Sequence, residues 1–134
     1  HPVFQRRKFF GGAATSQFDN PPDISWFNFD GTVPDWKKMN RFLAMRLGGK
    51  ARGIGDATAS GTEDNDFYIA FNMDIHDVTV SIPQPSAGRK WFRMVDTSIE
   101  NRTSALLDGQ EELLATQERY VVLANSIVVL IAKD

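Results

Sequence analysis

Asp77-Val78-Thr79-Val80-Ser81-Ile82-Pro83 is the stretch on which the fold turns, because Val78, Val80 and Ile82 alternate strictly with Asp77, Thr79 and Ser81. A period of two places one apolar and one polar face on the chain, which is the pattern of a half-buried strand. Working outward, Leu43, Met45 and Leu47 alternate with Phe42, Ala44 and Arg46, and Phe67, Ile69 and Phe71 alternate with Tyr68, Ala70 and Asn72. Further runs cover Lys90 to Val95, Arg119 to Leu123 and Ser126 to Ala132. The last two are β-branched and apolar on both faces, so both are expected at the centre of a sheet. Turn residues separate the runs at Asn72 to Asp77, Pro83 to Gly88 and Ala124-Asn125. Several short strands with turns between them and little helical period predict an all-β antiparallel sandwich. One short helical turn is expected within Ser104 to Leu114, and Gly48 to Asp66 reads as a long hairpin connection.

The chain has 134 residues, which is one domain's worth of protein. Its apolar fraction of 42% and charged fraction of 24% are those of an ordinary globular protein. A net charge of -2 gives no long-range attraction to nucleic acid or to anionic membranes, so neither is an expected partner. Without cysteine there can be no disulfide and no thiolate metal site, which suits a reducing compartment. The longest apolar run, Val121 to Ala132, is interrupted by Asn125 and Ser126 and falls short of the about 20 residues a membrane helix needs. No signal-peptide pattern follows Arg6-Arg7-Lys8. His1 is not an initiator methionine, so the chain is expected to be processed or a fragment of a longer protein.

Two parts are expected, residues 1–38 and 39–134. The first is rich in aromatics (Phe9, Phe10, Trp26, Phe27, Trp36 among them) and broken by Gly11-Gly12, Pro21-Pro22, Asp30-Gly31 and Pro34. Gly and Pro at this density stop helices and central strands. Aromatic side chains on irregular backbone need another surface to bury against, and that surface is expected to be a neighbouring domain.

Candidate chemistry is sparse. Gly53-Ile-Gly55 lacks the third glycine of a dinucleotide fingerprint and the strand-to-helix setting it requires. His76 lies between Asp74 and Asp77, yet the sequence has only one other histidine, and a solvated turn is the preferred reading over a metal site. There is no Gly-x-Ser-x-Gly elbow. Asp30, Asp56, Glu63, Asp64, Asp108, Glu111 and Glu112 fall in turns and read as solvated charges, and Asp96, at a strand end, is the one acid whose burial is worth inspecting. Arg6-Arg7-Lys8 beside Phe9-Phe10 reads as aromatic packing with the cations turned to solvent. No catalytic residue, metal ligand or cofactor is assigned. Trp91 reads as core or as a cover over one sheet edge, with core preferred. Trp26 and Trp36 flank the Asp30-Gly31 turn and are the candidate carbohydrate contacts, because flat aromatics stack on the C–H faces of sugars; packing against a neighbouring domain is the preferred reading.

The order of these motifs carries a resemblance. His1-Pro-Val-Phe-Gln-Arg6-Arg7-Lys8-Phe9-Phe10-Gly11 looks like the segment that closes the catalytic barrel of isoamylase-type debranching enzymes of the α-amylase superfamily. Asp23-Ile-Ser-Trp26, Asp30-Gly31, Pro34-Asp35-Trp36, Arg41-Phe-Leu-Ala-Met-Arg-Leu-Gly48, Tyr68-Ile-Ala-Phe-Asn72, Val78 to Pro83, Trp91, Val95-Asp96-Thr97 and Ser126 to Leu130 follow in the same order. The resemblance implies hydrolysis of α-1,6 branch points in glycogen or amylopectin by carboxylates upstream of this chain, none of which maps onto a residue present. It implies for this piece a β-sandwich that packs on the barrel, with glycan contact or assembly of copies as further roles. A stand-alone carbohydrate-binding or structural interaction module is the alternative.

Overall fold

The computed structural model describes residues 1–4, 23–38, 40–49, 64–86 and 88–134. Eight strands account for its regular structure: β1 (Ile24–Phe27), β2 (Phe42–Leu47), β3 (Asp66–Asn72), β4 (Val78–Ser81), β5 (Lys90–Asp96), β6 (Glu112–Leu113), β7 (Arg119–Val122) and β8 (Ser126–Lys133). Six form one sheet in the order β1-β2-β3-β8-β5-β6, and β4 and β7 form a second, two-stranded sheet. Every pairing is antiparallel. The expected antiparallel sandwich is therefore the fold, with two sheets of very unequal width.

The runs of alternating residues become strands because each can put one row of side chains between the sheets. Phe42, Ala44, Tyr68, Ala70, Trp91, Val128, Leu130 and Ala132 from the large sheet meet Val80, Ile82, Leu114 and Val122, with Phe27, Val78 and Tyr120 at the margin. Trp91 is fully buried, lies edge-to-face with Tyr68 at 6.3 Å, and donates its indole N–H to the Pro83 carbonyl at 2.8 Å. It is core, as expected, and its one polar group is satisfied.

Three expectations are corrected. β8 is central, between β3 and β5, but β7 is not: it forms half of the two-stranded sheet, and Val121 faces outward and is exposed. Apolar β-branched residues on both faces therefore signalled burial only for β8. The segment Ser104 to Leu114 holds no helix of its own; a 3-10 turn ends at its start (Arg102–Ser104), and Glu112–Leu113 extends the sheet beside β5. Glu112 is drawn into the strand by its ion pair with Arg93, 2.7 Å away. Ile24–Phe27, inside the segment read as irregular leader, is an edge strand paired residue for residue with β2. The expected cluster Arg6 to Phe10 and most of the Gly48 to Asp66 connection lie outside the described residues.

The end of the β2–β3 hairpin is closed by backbone contact. Gly49 donates to Asp66 at 2.9 Å and its carbonyl accepts from Asp64 at 3.2 Å. A Cβ at position 49 would stand 2.1 Å from the Asp64 carbonyl oxygen, so only glycine fits. Among the described residues no helix is long and apolar enough to cross a membrane.

Candidate functional site

The two faces of the large sheet differ in a way the alternation in single strands does not reveal. Beneath the small sheet, the inner face mixes apolar residues with Arg46, Asp66, Asn72, Arg93 and Asp96. Apart from the Lys90–Lys133 pair at one end, the outer face carries no polar side chain in its paired rows. One row runs Ile24, Leu47, Phe67, Ile131, Phe92, Leu113 and crosses all six strands. The next runs Trp26, Met45, Ile69, Val129, Val95, and a third Leu43, Phe71, Ile127.

Strands lie about 4.8 Å apart, so a two-stranded cover cannot shield six strands. The polar groups of the inner face are nonetheless buried, each held by hydrogen bonds. An outer face that is apolar in every row but the terminal Lys90–Lys133 pair is the pattern of a sheet buried on both sides. Among the described residues, the turn at Pro2–Phe4 lies against it: Val3 packs with Leu47, Phe67 and Ile131, and the Phe4 ring meets Phe67 edge-to-face at 4.7 Å. Many of the remaining outer-face side chains, such as Met45, Phe71, Phe92 and Val129, stay only half-buried. Contiguous apolar surface on this scale marks an interaction face.

Asp64 holds the amino-terminal turn to the sheet. Its carboxylate accepts from the Val3 backbone N–H at 2.8 Å and from the His1 ring Nδ1 at 2.9 Å. Asp64 is buried, which corrects the expectation of a solvated loop charge; the converging donors supply what water would have given.

The buried acids are structural. Asp66 is fully buried and accepts from Arg46 at 3.0 Å, Gly49 N–H at 2.9 Å, Ser86 N–H at 2.8 Å and the Ser86 hydroxyl at 2.6 Å, with Arg89 3.6 Å away. Burial pushes its pKa up, but the hydrogen bonds from Ser86 and Gly49 and the charge on Arg46 outweigh that and hold it below the ordinary carboxylate value. A general acid for glycoside cleavage needs the opposite shift. Asp96, the acid singled out for inspection, is buried and is taken up by Ser98 and by the Tyr120 hydroxyl. His76 is exposed in its turn, where its carbonyl accepts from Asn72 at 2.9 Å. Among the described residues, no three His, Cys, Asp or Glu side chains gather as a metal site would require. Of the acids read as solvated, Asp30, Asp108 and Glu112 are exposed, Glu111 is half-buried beside Lys133 at 2.6 Å, and Asp56 and Glu63 lie outside the described residues.

Trp26 and Trp36, ten residues apart in sequence, come together at the rim of the outer face. Their rings make an edge-to-face pair with centroids 5.8 Å apart and planes inclined at 81°. Trp26 is 37% exposed and Trp36 65%. Trp26 sits on edge strand β1, and Trp36 on a turn capped by Asp35, which accepts from Lys37 N–H at 3.0 Å.

Sequence reasoning did not find the apolar outer face or the Asp66 centre. Signals for both were present: apolar residues on both alternations of β2, β3 and β8, and single arginines (Arg46, Arg93) inside apolar strands.

Comparison with known proteins places this arrangement. Residues 23–131 match the family described as "Isoamylase, C-terminal". The chain is 33% identical over 102 residues to the "Glycogen operon protein GlgX homolog" of Mycobacterium tuberculosis, covering 73% of this chain and 14% of that one. It is 35% identical over 103 residues to "Isoamylase 2, chloroplastic" of Arabidopsis thaliana, covering 72% and 10%. Against "Isoamylase" of a Flavobacterium species it is 28% identical over 140 aligned positions, covering 99% and 17%. The chain thus spans under a fifth of the length of these relatives. It belongs to the isoamylase carboxy-terminal domain family.

Proposed function

We propose that this chain is the non-catalytic carboxy-terminal domain of a debranching glycoside hydrolase, and that the full protein hydrolyses α-1,6 branch points of glycogen or amylopectin on an upstream catalytic barrel. The family match carries the reading, together with names of relatives that speak of isoamylase and of a glycogen operon. The domain's task in this reading is mechanical. Its outer face covers apolar surface of the barrel, and residues 1–38 lead from one to the other, with β1 and the Asp64 hold on Val3 tying that lead to the sheet.

The outer face supports an intramolecular partner because it lies on the side where the amino-terminal turn arrives. A neighbour joined by a short connection acts at high effective concentration, so docking needs little intrinsic affinity. The reading is tested by assaying reducing ends released from amylopectin. The full-length enzyme should release them and pure residues 1–134 should not. Debranching by the isolated chain would overturn it.

A further inference from the structure

We propose that Trp26 and Trp36 form an auxiliary α-glucan contact on the non-catalytic domain, an inference that rests on the debranching reading above and deepens it. Both rings are exposed, and each is set by local structure: Trp26 by the β1–β2 ladder, Trp36 by the turn in which Lys38 N–H donates to the Asp35 carbonyl at 3.1 Å. A platform already ordered in the free protein loses little entropy on binding.

The geometry selects the ligand. In an edge-to-face pair, the ring that offers its edge keeps both of its own faces clear of its partner, and the other ring keeps one. The two ring planes are therefore inclined at 81° rather than lying in one plane. The sugar rings of a β-1,4-glucan form a flat ribbon that calls for coplanar aromatics. An α-1,4-glucan coils, and its successive rings tilt, so two steeply inclined faces fit consecutive turns of such a chain. Among the described residues neither indole N–H has a hydrogen-bond partner, so both can donate to sugar hydroxyls. Trp36 also stands among exposed Asp35, Lys37 and Lys38, a polar rim of the kind hydroxyl-rich ligands use. The three apolar rows of the outer face, by contrast, offer nothing to a hydroxyl.

The test uses the full-length enzyme in native gels cast with and without amylopectin. Wild type should be retarded by amylopectin and not by hydroxyethyl cellulose. Trp36→Ala should weaken the apparent affinity by roughly tenfold, about the worth of one good aromatic contact. Val33→Ala, an exposed change a few residues away, should leave retardation as in wild type and controls for surface alteration. Retardation of Trp36→Ala equal to wild type, with debranching intact in the wild-type protein, would overturn this site alone. Loss of both binding and debranching in wild type would instead remove the reading beneath it. Acrylamide quenching that finds Trp36 shielded by protein before any glucan is added would also overturn the site, in favour of packing.

Discussion

The Tyr120 hydroxyl donates to the buried carboxylate of Asp96, and this one bond joins the two-stranded sheet to the end of the central β5. Asp96 spends its other oxygen on the Ser98 N–H at 3.0 Å and on the Ser98 hydroxyl. The small sheet is otherwise held by packing, by Asn72, whose amide reaches the Val122 and Leu123 carbonyls, and by the Ser81 N–H bond to Phe29 at 2.8 Å.

Tyr120→Phe should therefore keep the ring against the core and lose only the donor. A buried acceptor left short of a partner costs about 1–3 kcal/mol. The expected outcome is a melting temperature several degrees lower with the same far-ultraviolet spectrum. A melt indistinguishable from wild type would mean that the two sheets do not depend on this bond.

Alkaline pH should act on the same residue. Burial, then the hydrogen bond that Tyr120 donates to Asp96 and the charge on Asp96, push the Tyr120 hydroxyl well above its ordinary value of 10.0, and burial does the same for Tyr68. These are the only two tyrosines in the chain. A raised folded pKa favours the protonated form in the fold, so the contribution is complete below pH 10 and is lost as pH rises beyond it, where the unfolded chain gives up protons first. Stability should decline above about pH 10, and tyrosinate absorbance should appear together with unfolding. Early tyrosinate absorbance in the folded protein would contradict the burial of both hydroxyls.

Asp66→Asn tests the charged end of the inner face. Asp66 stands against Arg46 and Arg89, whose side chains are themselves almost fully buried. Removing the carboxylate takes the acid partner from buried Arg46, while Arg89 keeps Asp134 at 3.6 Å and the Asp64 carbonyl at 2.8 Å; breaking a buried pair in this way costs about 3–5 kcal/mol. Because the folded pKa of Asp66 lies below its ordinary value, its contribution is present above about pH 4 and is lost as pH falls through the folded value. Wild type should thus lose stability on acidification below that point, and Asp66→Asn should show a weaker loss. Equal acid sensitivity in the two proteins would place the titrating group elsewhere.

The strands were legible where one residue in two was apolar, as in Val78, Val80 and Ile82, because period two has a single structural solution. Ile24–Phe27 was not, since a four-residue edge strand amid turn residues offers too few repeats to show a period. Sheet membership was harder still. Val121 and Val128 look alike in sequence, yet one is exposed on a two-stranded sheet and the other is buried at a centre, a difference set by partners far along the chain. Asp64 looked like a loop charge because its donors, His1 and Val3, are more than sixty residues away. The meeting of Trp26 with Trp36 was visible only as proximity to one turn; their angle depends on how β1 lies beside β2.

Val129→Glu distinguishes a docked outer face from a free one. Val129 lies on central strand β8 in the row between Ile69 and Val95, half-buried, with its side chain on the outer face. In the isolated chain a glutamate there can extend toward water, so its cost should be modest and self-association through the apolar face should fall. Docked against a catalytic barrel, the same carboxylate would be desolvated without a partner, and that penalty amounts to several kcal/mol. Full-length Val129→Glu should therefore be cut by a protease between the barrel and β2 far faster than wild type, and should melt earlier. Equal resistance and equal melting in the full-length protein would show that this face does not carry the contact, whatever the fate of the isolated chain.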